Sequence, residues 1–152
     1  MFLLLNLYDY AEYNIFYGPK KSNMIMDGTF TKIIYSNEYI TLYGLFLDLP
    51  VTSNYPLSST IDISYFHKDT IRKLTNIECH LLETYRQFME KKNITKNPIY
   101  CLHNQIETGC LKYYKEHSYV NPIEKLYIKI SGIWETDTHF GITYKFFTIN
   151  HL

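Results

Sequence analysis

The sequence predicts an α+β protein in which two helices cover a mostly antiparallel sheet or small barrel. Three observations lead to this prediction. Residues 2–65 are rich in strand-forming runs, residues 69–117 repeat apolar side chains at helical spacing, and residues 125–149 return to strand-like runs. The chain has 152 residues, the size of one compact domain, and no low-complexity segment or long linker divides it. We therefore expect a single domain over residues 1–152.

The N-terminal third is predicted to form several strands. Residues 2–17 mix apolar and tyrosine side chains without Gly or Pro, a composition that suits one or two strands. Residues 29–36 and 39–49 are rich in β-branched and aromatic types. The polar pair Asn37-Glu38 between them indicates a hairpin.

The segment after residue 60 changes from strand to helix periodicity. Ile61 and Ile63 alternate with polar residues in 60–65, which predicts a short strand with both side chains in the core. From Asp69 the apolar spacing becomes three and four residues, which predicts an amphipathic helix that ends near Asn93. Its apolar stripe comprises Ile71, Leu74, Ile77, Leu81, Tyr85 and Phe88, widened by Leu82 and Met89. The candidate N-caps are Asp69 and Thr70.

A second helix is predicted over residues 98–117. Asn97 suits the N-cap and Pro98 suits the first helical position, although Gly109 weakens the helix propensity of the segment. The repeating side chains are Ile99, Leu102, Ile106, Cys110, Tyr113 and His117.

Residues 126–147 are predicted to form a closing hairpin. A loop over 135–139 places Trp134 opposite Phe140 and, further along, Lys129 opposite Lys145. The face assigned to the core carries Ile128, Ile130, Trp134, Ile142, Tyr144 and Phe146. The other face carries Tyr127, Lys129, Ser131, Ile133, Gly141, Thr143, Lys145 and Phe147. Two like charges directly opposite each other lower stability unless solvent, a carboxylate or a bound anion separates them.

Composition excludes a strongly basic protein. The formal net charge is +0 and the aromatic fraction is 17%, with 16 Tyr and 9 Phe. Binding to nucleic acid would therefore depend on a local patch, since the chain has no overall positive charge. A chain near its isoelectric point is also poorly protected against self-association, which favours a protein partner or a homo-oligomer.

The cysteines and the N-terminus favour a reducing compartment and a protein without a membrane span. Three cysteines are too few for a disulfide framework. The apolar run at residues 2–5 lacks a positively charged flank and is interrupted by Asn6 and Asp9, so it predicts a strand rather than a signal peptide or spanning helix.

The sequence predicts no metal site, cofactor or catalytic motif. On a helix over 98–117, His103, Cys110 and His117 would be two turns apart, about 10 Å, which is too far for one zinc ion. No nucleophile elbow, phosphate-binding glycine loop or paired carboxylates occur. A catalytic site built from dispersed residues would leave no such motif.

The outer face of the hairpin is the candidate binding surface. Lysines beside aromatic rings have the elements of a single-stranded nucleic-acid site, with cations for phosphates and rings for bases. The alternative is an ordinary solvated face, since lysines and aromatics are common there. The candidate residues are Lys32, Tyr35, Tyr43, Tyr127, Lys129, Lys145 and Phe147.

Two segments carry a resemblance to a viral family. The segments "DGTFTKIIYSNEYITLYGLFLDL" at 27–49 and "LYIKISGIWETDTHFGITYKFF" at 126–147 resemble small proteins of large nucleocytoplasmic DNA viruses. The "GIW" followed by "GITYKF" is similar to the terminal strands of viral single-stranded DNA-binding proteins with an OB-like barrel. The resemblance implies an OB-like fold that binds exposed DNA during replication or recombination. It covers under a third of the chain.

Two functional hypotheses follow. The first is a non-enzymatic viral accessory protein that binds single-stranded nucleic acid, located in the host cytoplasm or a viral factory. The second is a virion structural or assembly protein whose tyrosine-rich surfaces contact other proteins, because Tyr gives a large contact area with a polar tip.

Overall fold

The computed structural model describes residues 4–23, 25, 27–50, 60–115 and 124–150. These residues form an α+β structure with two α-helices and a ten-stranded, mixed, mostly antiparallel sheet. The predicted fold class is confirmed at this level. The order of strands runs from one edge of the sheet to the other without closing, so the described residues form an open sheet and not a small barrel.

The elements follow the predicted order, with more strands than predicted. The strands are β1 (Leu5–Asn6), β2 (Ile15–Ser22), β3 (Thr29–Ser36), β4 (Thr41–Leu42), β5 (Leu45–Leu49), β6 (Thr60–Asp62), β7 (Asn97–Pro98), β8 (Cys110–Lys115), β9 (Glu124–Glu135) and β10 (His139–Asn150). The helices are α1 (Lys68–Glu90) and α2 (Cys101–Glu107). Short 3-10 turns lie at Leu7–Asp9, Glu12–Asn14 and Ile63–Tyr65.

The long hairpin of β9 and β10 is the centre of the sheet. β3 and β5 pair with consecutive stretches of one edge of β9, residues 132–135 and 126–130, and both run antiparallel to it. β7 and β8 pair with the far edge of β10, and both run parallel to it. The remaining strands extend these four: β2 and β4 pair with β3, β1 pairs with β5, and β6 pairs with β8. The hairpin thus pairs directly with four other strands of the sheet.

Helix α1 covers one face of the sheet, as its amphipathic pattern predicts. The tyrosine ring of Tyr85 lies 5.9 Å from the ring of Phe140 on β10. After the helix ends, Asn93 adopts a positive φ of 58°, which agrees with its predicted role as terminator. Thr70 is buried and the N-cap is His67, so neither predicted N-cap holds that position. The buried members of the predicted stripe are Leu74, Ile77, Leu81, Leu82, Tyr85 and Met89.

The predicted helix over 98–117 is wrong in extent. Asn97 and Pro98 lie in β7, and α2 ends at Glu107. Gly109 then adopts φ +86°, a conformation that ends the helix. The apolar and aromatic residues that follow form β8, where Leu111 is completely buried. Pairing with β6 and β10 outweighs the helical spacing in this segment.

Replacing Gly109 with alanine is expected to lower the free energy of unfolding by about 1–2 kcal/mol. Its φ of +86° is unfavourable for a residue with a Cβ, even though no atom lies within 4 Å of that position. Urea unfolding measures the loss. Gly18→Ala is the matched control, because a Cβ there meets only ordinary contacts at 3.6 Å. An equal loss in both variants would contradict the conformational explanation.

The N-terminal predictions are confirmed in part. Asn37 of the predicted turn accepts hydrogen bonds from the backbone N–H groups of Tyr39 and Ile40, which follow that turn, and β3 and β4 pair as a hairpin around it. Gly44, with φ +127°, divides the predicted strand 39–49 into β4 and β5. Ile61 is fully buried, whereas Ile63 lies in a 3-10 turn and is partly buried.

Candidate functional site

Half of the predicted register of the β9–β10 hairpin is correct. Lys129 pairs with Lys145, and the neighbouring predicted pairs at the end of the hairpin away from the loop are also confirmed. Towards the loop the prediction is wrong by one residue, because Phe140 pairs with Glu135 and not with Trp134. The shift occurs where Ser131 is an extra residue on β9, a β-bulge.

The bulge changes which side chains face helix α1. Ile133 and Glu135 point to the core and are buried, while Trp134 lies on the opposite face. The prediction that Trp134 is a core residue is therefore wrong. Tyr144 is partly exposed. The predicted core residues that are buried are Ile128, Ile130, Ile142 and Phe146.

Three predicted lysines share the face of the sheet that points away from α1, which we call the outer face. Lys32 on β3 pairs with Gly132 on β9, and the alternation of the strands places Lys32 on the same side as the Lys129–Lys145 pair. Lys32 and Lys145 are exposed and Lys129 is half-buried. The outer face of β2, β3, β5, β9 and β10 carries Phe16, Lys21, Phe30, Lys32, Phe46, Asp48, Tyr127, Lys129, Trp134, Thr143, Lys145 and Phe147.

Two of these lysines lie over aromatic rings. The Nζ of Lys32 is 5.3 Å from the ring centroid of Tyr43, which is 64% exposed. The Nζ of Lys129 is 5.4 Å from the ring centroid of Phe46. Both distances are within the range of a cation–π contact. The cations and the rings are therefore adjacent, which is the arrangement needed to bind the phosphates and the bases of a nucleic-acid strand.

Two predicted stacking residues need correction. Tyr35 is 1% exposed and faces the core, where its hydroxyl accepts hydrogen bonds from the Ala11 backbone and from Nδ2 of Asn14. Its alternation in β3 places it opposite to Lys32, which excludes it from the outer face. Tyr127 is on the outer face but is also 1% exposed, and its ring stacks on Phe147 at 5.3 Å. Phe147 is therefore the more accessible ring of this pair.

The outer face also contains residues that sequence reasoning missed. Phe30 pairs with Trp134 across β3 and β9, and Lys21 pairs with Phe30 across β2 and β3. The alternation of side chains in β3 was a usable signal for Phe30, because it lies two residues before Lys32. Phe46 lies opposite Lys129 on β5. The bulge that turns Trp134 outward left no comparable signal.

Two glycines shape the surface around these rings. A Cβ at Gly132 would lie 2.5 Å from the ring of Phe30, and one at Gly141 would lie 2.7 Å from the indole of Trp134. Each ring thus covers a glycine on the neighbouring strand. Surface depressions of about 490 Å³ and 420 Å³ lie beside Trp134, and Thr143 borders both.

A buried carboxylate lies beneath this end of the sheet. The side chain of Glu135 is completely buried and accepts a 2.5 Å hydrogen bond from the Tyr85 hydroxyl and a weaker one from Thr29. Its oxygens also lie 3.0 Å from Nζ of Lys20 and 3.2 Å from Nζ of Lys96. The two lysines and the tyrosine connect β2, α1 and the segment before β7 to the hairpin. This network fixes the loop end of β9.

The network keeps Glu135 ionised. Burial raises the pKa of its carboxyl, but the hydrogen bonds from Tyr85 and Lys20, the charge of Lys20 and the bond from Lys96 outweigh burial and hold the pKa below its ordinary value. Burial raises the pKa of Tyr85, and its hydrogen bond to Glu135 raises it further, so the phenol stays a proton donor.

A second buried carboxylate, Glu78, has a different environment. It accepts 2.8 Å hydrogen bonds from the backbone N–H groups of Leu102 and His103 and so caps α2. Burial raises its pKa, and these two bonds offset the rise in part. Glu78 therefore joins α1 to α2 and lies away from the outer face.

Neither a metal centre nor a membrane span is visible in the described part of the chain. No group of three or more His, Cys, Asp or Glu side chains there is placed to hold a metal ion. Neither α1 nor α2 is long and apolar enough to cross a membrane. Comparisons with protein-family models, curated proteins and solved structures found no match.

Proposed function

We propose that this protein binds single-stranded nucleic acid through the outer face of its sheet, without catalysing a reaction on it. One observation carries the proposal: Lys32, Lys129 and Lys145 lie on the same face, although they come from three different strands. Accessible rings lie among them, namely Tyr43, Phe46 and Phe147.

The chemistry of these groups matches an unpaired strand. Ammonium groups bind phosphates without regard to sequence, and aromatic rings stack on bases whose faces are free. The direct pairing of Lys129 with Lys145 brings two like charges together, so a phosphate near both amines would lower a repulsion as well as add an attraction. An open sheet is sufficient for this mode of binding, so the proposal does not depend on an OB-like barrel.

The neutral net charge is compatible with the proposal because charges are partly segregated. Among the outer-face side chains named above, Asp48 is the single carboxylate. Exposed carboxylates such as Glu83 and Glu90 lie on α1, on the other side of the sheet. A local positive surface can therefore exist on a chain whose formal net charge is +0.

The proposal predicts a salt-sensitive complex with an oligonucleotide. Size-exclusion chromatography with light scattering should show a complex with oligo(dT) at low salt that dissociates as salt rises, since counterion release drives phosphate binding. A duplex of the same length should bind more weakly, because its bases cannot stack on the rings. A protein that elutes unchanged with oligo(dT) at low salt would refute the proposed function.

A second candidate function rests on a different surface. Tyr13 and Tyr39 are each 84% exposed and border a depression of about 410 Å³ together with the carboxylates of Asp9 and Glu38. Exposed tyrosines favour protein interfaces, and the carboxylates suit a basic partner. The same chromatography distinguishes this function, because it would give a discrete oligomer or protein complex that does not respond to oligo(dT). The viral role implied by the resemblance remains a proposal for either function.

A further inference from the structure

The outer face has a depression beside Trp134. The strands place Gly132 and Gly141 there, and the absence of a Cβ at each lets an aromatic ring pack against the backbone. Phe30 and Trp134 lean over the two glycines from neighbouring strands, and both rings border the depression of about 490 Å³. The bulge at Ser131 creates this arrangement by turning Trp134 outward.

The groups that border this depression are suited to one flat aromatic ligand. Phe30 and Trp134 border the depression, and its other lining residues are Lys21, Ser22, Asn23, Ile25 and Thr143. On the far side of Trp134, Lys145 and Lys112 border the second depression. The aromatic pair thus lies between a lysine on β2 and lysines on β10 and β8.

We propose that Trp134 and Phe30 form a pocket for a single unpaired nucleobase of the bound strand. The strand backbone would pass over Thr143, with phosphates near Lys21 on one side and near Lys145 on the other. This inference rests on the proposed function, which it deepens by naming where a base is held. Aromatic stacking tolerates every base, so the pocket would select unpaired nucleic acid and not a particular sequence.

The chain itself contains a specific reporter for this pocket. Trp134 is the single tryptophan among 152 residues, so tryptophan emission arises from this site alone. The experiment titrates the protein with a labelled oligo(dT) and follows two signals, the anisotropy of the label and the emission of Trp134. We expect the emission to be quenched with the same midpoint as the rise in anisotropy.

Three variants test the role of the ring. Trp134→Leu should weaken oligo(dT) binding roughly fivefold to 100-fold. Trp134→Phe keeps a stacking ring and should lower the affinity for oligo(dT) by a smaller factor. Tyr39→Leu is the matched control, because it removes an exposed ring away from the pocket and should leave the affinity unchanged. Thr143→Glu keeps the indole and adds a carboxylate beside it, and it should weaken binding at least as much as Trp134→Leu. Circular dichroism of each variant verifies the fold, and Thr143→Glu carries the test if Trp134→Leu fails to fold.

The outcomes separate the pocket from the general proposal. Salt-dependent anisotropy with unchanged Trp134 emission and unchanged affinity in Thr143→Glu would overturn the pocket and leave the proposed function standing. An absence of any anisotropy change at low salt would overturn both. Quenching that coincides with binding, together with the ordered losses in the variants, would establish the pocket.

Discussion

Replacing Glu135 with alanine is expected to lower the free energy of unfolding by about 3 kcal/mol. The carboxylate is completely buried, and its removal leaves the Tyr85 hydroxyl without that acceptor and two ammonium groups without their counter-charge. Lys96 is 17% exposed, so water replaces the lost partner poorly, whereas Lys20 is 39% exposed and is better solvated. We place the loss at the lower end of the range for buried pairs for that reason. Urea unfolding at neutral pH measures it.

Glu83→Ala provides the matched control. Glu83 also pairs with a cation, Arg86, but both side chains are substantially exposed on α1. Exposed pairs of this kind contribute about 0–1 kcal/mol, because solvent screens them. If Glu83→Ala and Glu135→Ala lowered the free energy of unfolding by the same amount, the buried network around Glu135 would not be a major source of stability.

The contribution of Glu135 should also depend on pH. Its pKa in the folded protein is lowered from the ordinary value of 4.5, so the folded state binds this proton less readily than the unfolded state does. The stabilisation is therefore complete above that ordinary value and is lost as the pH falls through the folded value. Glu78 has a raised pKa and acts in the opposite direction. The difference in unfolding free energy between the native protein and Glu135→Ala isolates Glu135, and it should shrink as the pH falls below 4.5.

Reversing two charges on the outer face should weaken oligo(dT) binding by at least roughly tenfold while the fold is kept. Lys129→Glu with Lys145→Glu removes two of the three proposed phosphate contacts and replaces them with repulsion. The side chains lie on the solvent side of β9 and β10, away from α1, so the core is not altered. Anisotropy of a labelled oligonucleotide gives the affinity, and thermal unfolding shows whether the variant is folded.

The chain offers a control of the same charge and similar chemistry. Lys91 and Lys92 follow α1, and Nζ of Lys92 lies 4.4 Å from the ring centroid of Phe88. This is another lysine beside an aromatic ring, but on the helix side of the molecule. Lys91→Glu with Lys92→Glu produces the same change in net charge and should alter the affinity much less. An equal loss in both double variants would show that only overall charge matters.

The parts of the fold that depend on local pattern could be predicted from the sequence. The stripe from Leu74 to Met89 specifies helix α1, because its apolar spacing matches one face of a helix over many turns. The alternation in β3 and the polar pair at Asn37 specify the first hairpin. The position of the hairpin loop and the alternation of its strands predicted the pairing of Lys129 with Lys145. This pair is the part of the candidate site that sequence patterns could locate.

The remaining errors arise where non-local contacts decide. A single inserted residue, Ser131, reverses the faces of β9 towards the loop, so Trp134 leaves the core and Glu135 enters it. The segment after Gly109 has apolar residues at helical spacing, but it forms β8 because β6 and β10 pair with it on both sides. The alternation of β3 alone places Tyr35 and Lys32 on opposite faces of the strand, so the sequence was sufficient to exclude Tyr35 from the binding face. Turn-forming residues at 53–56 and 118–122 also predict breaks between elements, and both stretches lie outside the described residues.

The salt dependence of oligo(dT) binding, compared among the native protein and the two double charge reversals, tests the central claim most directly. The three lysines of the proposed site predict a slope of about −2 in log affinity against log salt, and the outer-face reversal, which keeps only Lys32 of the three, predicts about −0.7. A phosphate contact at Lys21 in the proposed base pocket would steepen both slopes equally. The helix-side reversal should retain the native slope. A slope near zero for the native protein, or the same reduced slope for both reversals, would contradict a nucleic-acid site formed by Lys32, Lys129 and Lys145.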